Sequence, residues 1–267
     1  MENCPNPTPV RIGVAGDWHG DANAAITALK GLKNAGIETV YHVGDFGFWP
    51  GLSGKKFLRA LERQLTLYGI TIYVTMGNHD DYPQVAALPV SEDGLQWATE
   101  HIAVMPRGYR WSIGERTFVS LGGAPSINFP DLKAGISWWP EEALTMGDVY
   151  RIAEGGQADV MITHDAPDGI APLVNLMATN RAEWSPEGLQ YAEQGRMLMT
   201  QAVLSVKPTM LFHGHYHFDY VEATEFEDHD GRFTTTVVGL NRNKYKNNAI
   251  ILNTVTLETE WVLGTGI

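Results

Sequence analysis

Between residues 10 and 76 the chain alternates short apolar runs with segments of helical spacing, and few architectures can absorb that alternation. Residues 10–15 are apolar and run into Gly16-Asp17, which reads as a buried strand ending in a loop. Residues 21–36 then repeat Ala, Ile and Leu at helical intervals. The pattern recurs with a strand over 39–43, a helix over 55–68 and a strand over 70–76. Strand, helix, strand, helix, strand is the signature of parallel strands joined by crossover helices, so it predicts an α/β fold with a largely parallel central sheet. Ligands of such sheets collect outside the carboxyl ends of the strands, and here each strand end runs into polar residues.

Farther along, the same criteria predict a short helix over 82–88, strands over 111–113 and 117–121, a helix over 141–153 and a buried strand over 160–163. A largely helical stretch covers 183–206 and a strand covers 209–212. From Tyr220 onward, runs rich in Thr and Val predict an antiparallel sheet that closes the fold. Residues 125–140 are rich in Pro, Gly and Trp and read as an ordered loop over the sheet edge. With no internal repeat, the expectation is one domain over 1–267, with a loop-rich excursion around 124–190.

Composition narrows the function classes. The first nine residues hold three prolines and no basic cluster before an apolar run, unlike a secretory signal. No stretch reaches the roughly 18 apolar residues of a membrane span, so no membrane partner is expected. The lone Cys4 excludes a disulfide framework and a thiolate cage, which fits a reducing, cytoplasmic setting. A formal net charge of -12 argues against long nucleic acid as partner, because that grip comes from Lys and Arg on many phosphates. A small anionic substrate stays open, since bound cations would add local positive charge.

Five polar motifs follow the predicted strands. Asp17-Trp18-His19 comes after the first. In extended backbone, residues two apart face the same way, so this carboxylate and imidazole could share a cation; a turn Asp beside a surface His is the plainer reading. Gly44-Asp45 and Gly77-Asn78-His79-Asp80 end the second and third strands, with hard oxygen donors after turn-permitting glycines, or simply turns. Thr163-His164 follows the buried strand 160–163 and could equally be a structural histidine. Gly214-His215-Tyr216-His217 repeats the spacing of two with a pair of imidazoles. Five of the nine histidines fall in these motifs, and all five motifs would meet on one sheet edge.

In order and spacing the series resembles the calcineurin-like metallophosphoesterase superfamily, from Asp17 to His217, in its bacterial or phage-type phosphodiesterase members. The stretch Ser137-Trp138-Trp139-Pro140-Glu141-Glu142 is similar to such members too. The resemblance implies a central β-sandwich flanked by helices and two divalent metal ions. One ion would lie on Asp17, His19, Asp45 and His217, the other on Asp45, Asn78, His164 and His215, with Asp45 as bridge. His79 matches the family's catalytic histidine, which would protonate the leaving group after in-line attack by a hydroxide between the ions. Nitrogen and oxygen donors favour Mn, with Fe, Zn or Ni compatible.

Phosphoprotein phosphatases of this superfamily carry a second Asp and an Arg after Gly-Asp, but this chain has Gly44-Asp45-Phe46-Gly47-Phe48-Trp49. Phe48 stands where a carboxylate would orient the histidine, so Asp80 or Asp81 is nominated instead. Without the Arg, a dianionic monoester lacks a bidentate clamp, which favours phosphodiesters, with a small or cyclic nucleotide as the expected substrate. A nuclease, a monoester or protein phosphatase, and a non-catalytic scaffold are the competing classes. The basic run 241–246 reads as a solvated hairpin face that could attract phosphate. Trp138, Trp139 and Trp184 read as packing residues that could wall a cleft.

Overall fold

A computed structural model of the chain describes residues 10–262. The opening alternation folds as expected: β1 (Arg11–Ala15), β2 (Thr39–His42) and β3 (Thr71–Thr75) lie parallel and adjacent, joined by α1 (Ala22–Asn34) and α2 (Gly51–Tyr68). The Asp21 carboxylate starts α1 by accepting the Asn23 and Ala24 N–H groups, both at 3.1 Å. Gly69, at φ 64°, ends α2 in the left-handed conformation. Beyond the short α3 (Tyr82–Ala86), two strands that no sequence signal marked extend the sheet. These are β4 (Gln96–Trp97) and β5 (Ile102–Met105), and β5 runs parallel to β3. β5 is four buried apolar residues without alternation, a run too short for periodicity to separate from helix.

A second sheet holds β6 (Arg110–Ile113), β7 (Arg116–Leu121), β8 (Val160–Thr163), β9 (Met210–His213), β10 (Tyr220–Asp228) and β11 (Gly231–Gly239), in the order β10-β11-β9-β8-β7-β6. The expected single antiparallel sheet after Tyr220 is instead divided. β11 pairs parallel with β9, whereas β12 (Ala249–Asn253) returns to the first sheet, antiparallel to β1, with β13 (Thr259–Trp261) at its edge. The reason is burial: β12 is covered on both faces, but β10 alternates and needs cover on one.

The expected helix over 141–153 begins later, as α4 (Met146–Glu154), because Thr145 and Asp148 form a capping box and Pro140–Glu142 is a separate 3-10 turn. α5 (Ala171–Asn180) was unforeseen, and α6 (Pro186–Val206) starts at the Ser185 cap. The 124–190 stretch therefore contains α4, α5, the first turn of α6 and β8, an interior strand of its sheet.

Three apolar layers result. Leu29, Leu32, Phe57 and Leu61 of the first helices cover Val40, Ile72 and Val74. Ile12, Val14, Val43, Phe118, Ile162 and Phe212 fill the space between the sheets. Ile152, Met199 and Val203 cover Val119, Met161 and Leu211 on the far side. Each such side chain contributes about 1.5–3 kcal/mol on full burial, so the layers hold both sheets in fixed register. The loops after β1, β2, β3, β8 and β9 meet on one rim.

Candidate metal centre

The rim carries two adjoining clusters. In the first, Asp17, His19, Asp45 and His217 bring one ligand atom each within 4.8 Å of one another. His19 Nε2 lies 3.0 Å from His217 Nε2 and 3.7 Å from Asp45 Oδ2, and His217 Nε2 lies 3.4 Å from Asp17 Oδ2. Asp17 is wholly buried, yet its Oδ1 has no hydrogen-bond partner. Burial and the neighbouring Asp45 charge push the Asp17 carboxyl well up, while burial pulls His217 down to about 3 and lowers His19. An orphaned carboxylate oxygen among neutral imidazoles is a donor set that fits a divalent cation.

In the second cluster, Asn78 Oδ1 lies 2.9 Å from His164 Nε2 and 3.0 Å from His215 Nδ1, and His164 Nε2 is 3.4 Å from Asp45 Oδ1. His164 Nδ1 donates to the Val43 carbonyl at 2.8 Å, which turns Nε2 onto Asn78 Oδ1 and Asp45. Imidazole nitrogens and an amide oxygen converging beside a carboxylate are a donor set that fits a divalent cation too. His215 is held neutral by burial. Burial would raise the Asp45 carboxyl, but the adjacent His164, His79 and His19 rings and the His79 N–H together hold it well below the usual carboxylate range.

The backbone explains the convergence. Among the described residues, nine non-glycine residues have positive φ, and five of them are Asp17, His19, Asp45, His215 and His217. Left-handed backbone disfavours residues with a Cβ by about 1 kcal/mol each, a strain the packed sheets hold in place. The expected reason for pairing Asp17 with His19, extended backbone at spacing two, is thus wrong: their loop is curled, with φ of 32° and 45°. The spacing-two histidines also part company, His217 joining the first cluster and His215 the second. The loops approach so closely that a methyl group on Gly214 would strike the Asp17 carboxylate, and one on Gly77 the Asp45 carboxylate.

With the geometry in place, the comparisons agree. The family model described as calcineurin-like phosphoesterase matches residues 10–219. The chain belongs to the calcineurin-like phosphoesterase family. It is accordingly a phosphate-ester hydrolase of a family that uses a dimetal centre. No curated protein matches the sequence. Among solved structures, a protein of Thermus thermophilus is similar at TM-score 0.56 and 12% identity, over 94% of this chain and 96% of that one. A dimetal phosphatase from Danio rerio is similar at TM-score 0.56 and 10% identity, over 96% and 99%. At such identity these two show a shared fold.

His79, expected to be the proton donor, has its ring centroid 5.4 Å from that of His19, and its backbone N–H donates to Asp45 Oδ1 at 2.8 Å. Neither nominated carboxylate orients it. Asp80 accepts the N–H groups of Phe46, Gly47, Phe48 and Gly77, at 2.9 to 3.3 Å, and so ties the second phosphoesterase motif to the third. Asp81 caps α3 through the Gln84 N–H. Both are committed to backbone, and Phe48 is buried against Phe46.

Several residues of the phosphoesterase rim escaped sequence reasoning. Wholly buried Glu142 accepts from the Ser126 N–H at 2.5 Å, the Ser126 hydroxyl at 2.8 Å and Trp138 Nε1 at 2.9 Å, and Ser126 Oγ accepts from Asn78 Nδ2 at 2.9 Å. Burial pushes its carboxyl up to about 7. Asp165, raised by burial to about 6, accepts from the Tyr216 hydroxyl at 2.7 Å and so clasps the His164 loop to the His215 loop. The basic run is more than a solvated hairpin face: the Asn243 N–H donates to the Asp17 carbonyl at 2.8 Å, and the Arg242 charge helps lower His19 and His217. Of the tryptophans, Trp139 packs in the interior, Trp138 leans on Phe129 at 5.7 Å, and Trp184 is exposed. Only the Trp-Trp-Pro-Glu-Glu resemblance pointed toward Glu142; the other contacts leave no local sequence signal.

Proposed function

We propose that this phosphoesterase hydrolyses a small phosphodiester, such as a cyclic nucleotide, using two divalent cations with Mn favoured. One set of ligands is Asp17, His19, Asp45 and His217, and the other is Asp45, Asn78, His164 and His215. The observation that carries the two-ion reading is the position of Asp45, with Oδ2 3.7 Å from a ring nitrogen of one cluster and Oδ1 3.4 Å from a ring nitrogen of the other. When bound, two such ions supply an activated water and hold the phosphoryl oxygens for in-line displacement. Asp45 would offer one oxygen to each ion and balance part of their charge. His79, anchored through its N–H to Asp45, presents its imidazole beside the first cluster, where it can protonate the leaving oxygen.

The diester preference is supported by the buried Phe48 in the second motif, where a charged clamp for a dianion would be useful. A phosphomonoester is the second reading, and exposed Arg242, stacked 5.2 Å from the Tyr245 ring centre near His19, is what favours it. The Mn-loaded protein is expected to turn over an aryl phosphodiester at least about tenfold faster in kcat/KM than the matching monoester, a difference of about 1.4 kcal/mol in barrier. A large monoester preference reverses the assignment and makes Arg242 the phosphate clamp.

A further inference from the structure

We propose that Glu142, acting through Ser126, determines which end of the Asn78 amide faces the second ion. The inference rests on the two-ion reading above and concerns a positioning residue outside both ligand sets. An amide is nearly symmetric in shape, so packing alone does not select between its oxygen and its nitrogen; the polarity of its neighbours must.

That polarity can be traced atom by atom. The Ser126 backbone N–H and Trp138 Nε1 can only donate, and both point at Glu142 Oε1. The other oxygen, Oε2, faces Ser126 Oγ at 2.8 Å. In its ionised form the carboxylate can only accept, so it takes the single hydroxyl proton of Ser126. Ser126 Oγ is then left with lone pairs toward Asn78. It therefore accepts from Asn78 Nδ2 at 2.9 Å, and this turns Asn78 Oδ1 toward His164 and His215. Glu142, Ser126 and Asn78 are all buried, so water has little access to the two links that join them.

Glu142→Gln preserves the shape and inverts the polarity. The Gln oxygen must meet the two fixed donors, so its NH2 faces Ser126 Oγ and donates to it. The hydroxyl proton is released to turn toward Asn78, whose oxygen follows it and whose NH2 swings to the ion. Asn78→Asp has the opposite defect: with Glu142 in place, two carboxylates compete for one hydroxyl proton. Combined, the changes compensate, because a carboxylate at 78 has no donor end and can take the freed proton with one oxygen and the ion with the other.

The test is Mn binding by calorimetry, with the spin coupling of the Mn pair in electron paramagnetic resonance as a second readout. Wild type is expected to bind two Mn per chain. Glu142→Gln should keep the first and weaken the second about 10–100-fold, the range for removing the support of a metal ligand. The double variant Glu142→Gln/Asn78→Asp should bind the second Mn at least about tenfold more tightly than either single variant. Unchanged second-site affinity in Glu142→Gln, or a double variant no better than the singles, overturns the proposal and leaves the two-ion reading standing. Fewer than two Mn on wild type sinks the two-ion reading itself. If Glu142→Gln does not fold, Ser126→Ala carries the test: it leaves the Asn78 amide without a cue and should weaken the second Mn at least about tenfold, and unchanged affinity overturns the proposal.

Discussion

The two halves of the rim are built differently. The first cluster is open and rich in carboxylates: it has two, and the side chains of His19 and His217 are 19% and 31% exposed. Four of its residues, Asp17, His19, Asp45 and His217, sit in left-handed backbone. The second cluster is closed: His164 is fully buried and tied to the Val43 carbonyl, and Asn78 is tied through Ser126 to Glu142. Its only carboxylate is the shared Asp45. On the two-ion proposal, affinity in the first would come mainly from carboxylate charge, and in the second from neutral ligands aligned by buried hydrogen bonds. The expected consequence is that the outer ion exchanges more readily than the inner one.

The largest effect that would break this contrast lies at the shared residue. Asp45→Asn is expected to lose both ions and to lower turnover by at least about a thousandfold, whereas His217→Ala should lose only the first and retain one Mn per chain. Metal analysis of the two purified variants decides it; one tightly held ion in Asp45→Asn would show that the clusters are independent. Next in size is His79→Ala, expected to keep both ions but to lower kcat about 10²–10⁴-fold on a diester with a poor leaving group, and far less on an activated aryl ester. Full turnover on the poor leaving group removes His79 from the proton-donor role.

The smallest effect sharpens the closed half. In the metal-free protein the Glu142 carboxyl is raised to about 7 from an ordinary 4.5, so the folded state holds this proton more tightly than the unfolded chain does. The stability it contributes is complete below about pH 4.5 and is lost as pH rises through about 7, up to about 3 kcal/mol. Urea unfolding of metal-free protein between pH 5 and 8 should therefore show a shallower loss in Glu142→Gln than in wild type. Parallel curves would mean that Glu142 is already ionised without metal.

Much of this was legible in one dimension. The alternation over residues 10–76 needs only local periodicity, and it reproduced three parallel strands and two crossover helices. The eight rim residues could be named because the motifs that follow the strand ends, most of them marked by a glycine, match a known family series in order. What was missed is non-local. β12 and the β10-β11 hairpin read alike, and burial on two faces rather than one sent them to different sheets. Asp80 looked available to His79 but is consumed by four backbone N–H groups, which only the folded loop presents.

The linear chain thus determined which side chains reach the rim, because periodicity and turn chemistry are encoded in neighbouring residues. The tertiary structure alone decided how they face one another: the curl that brings Asp17 to His217, and the buried hydrogen bonds from Glu142 to Asn78. Such contacts join residues 16 to 200 positions apart, and their energy comes from hydrogen-bond polarity and exclusion of water, neither of which exists before the sheets close.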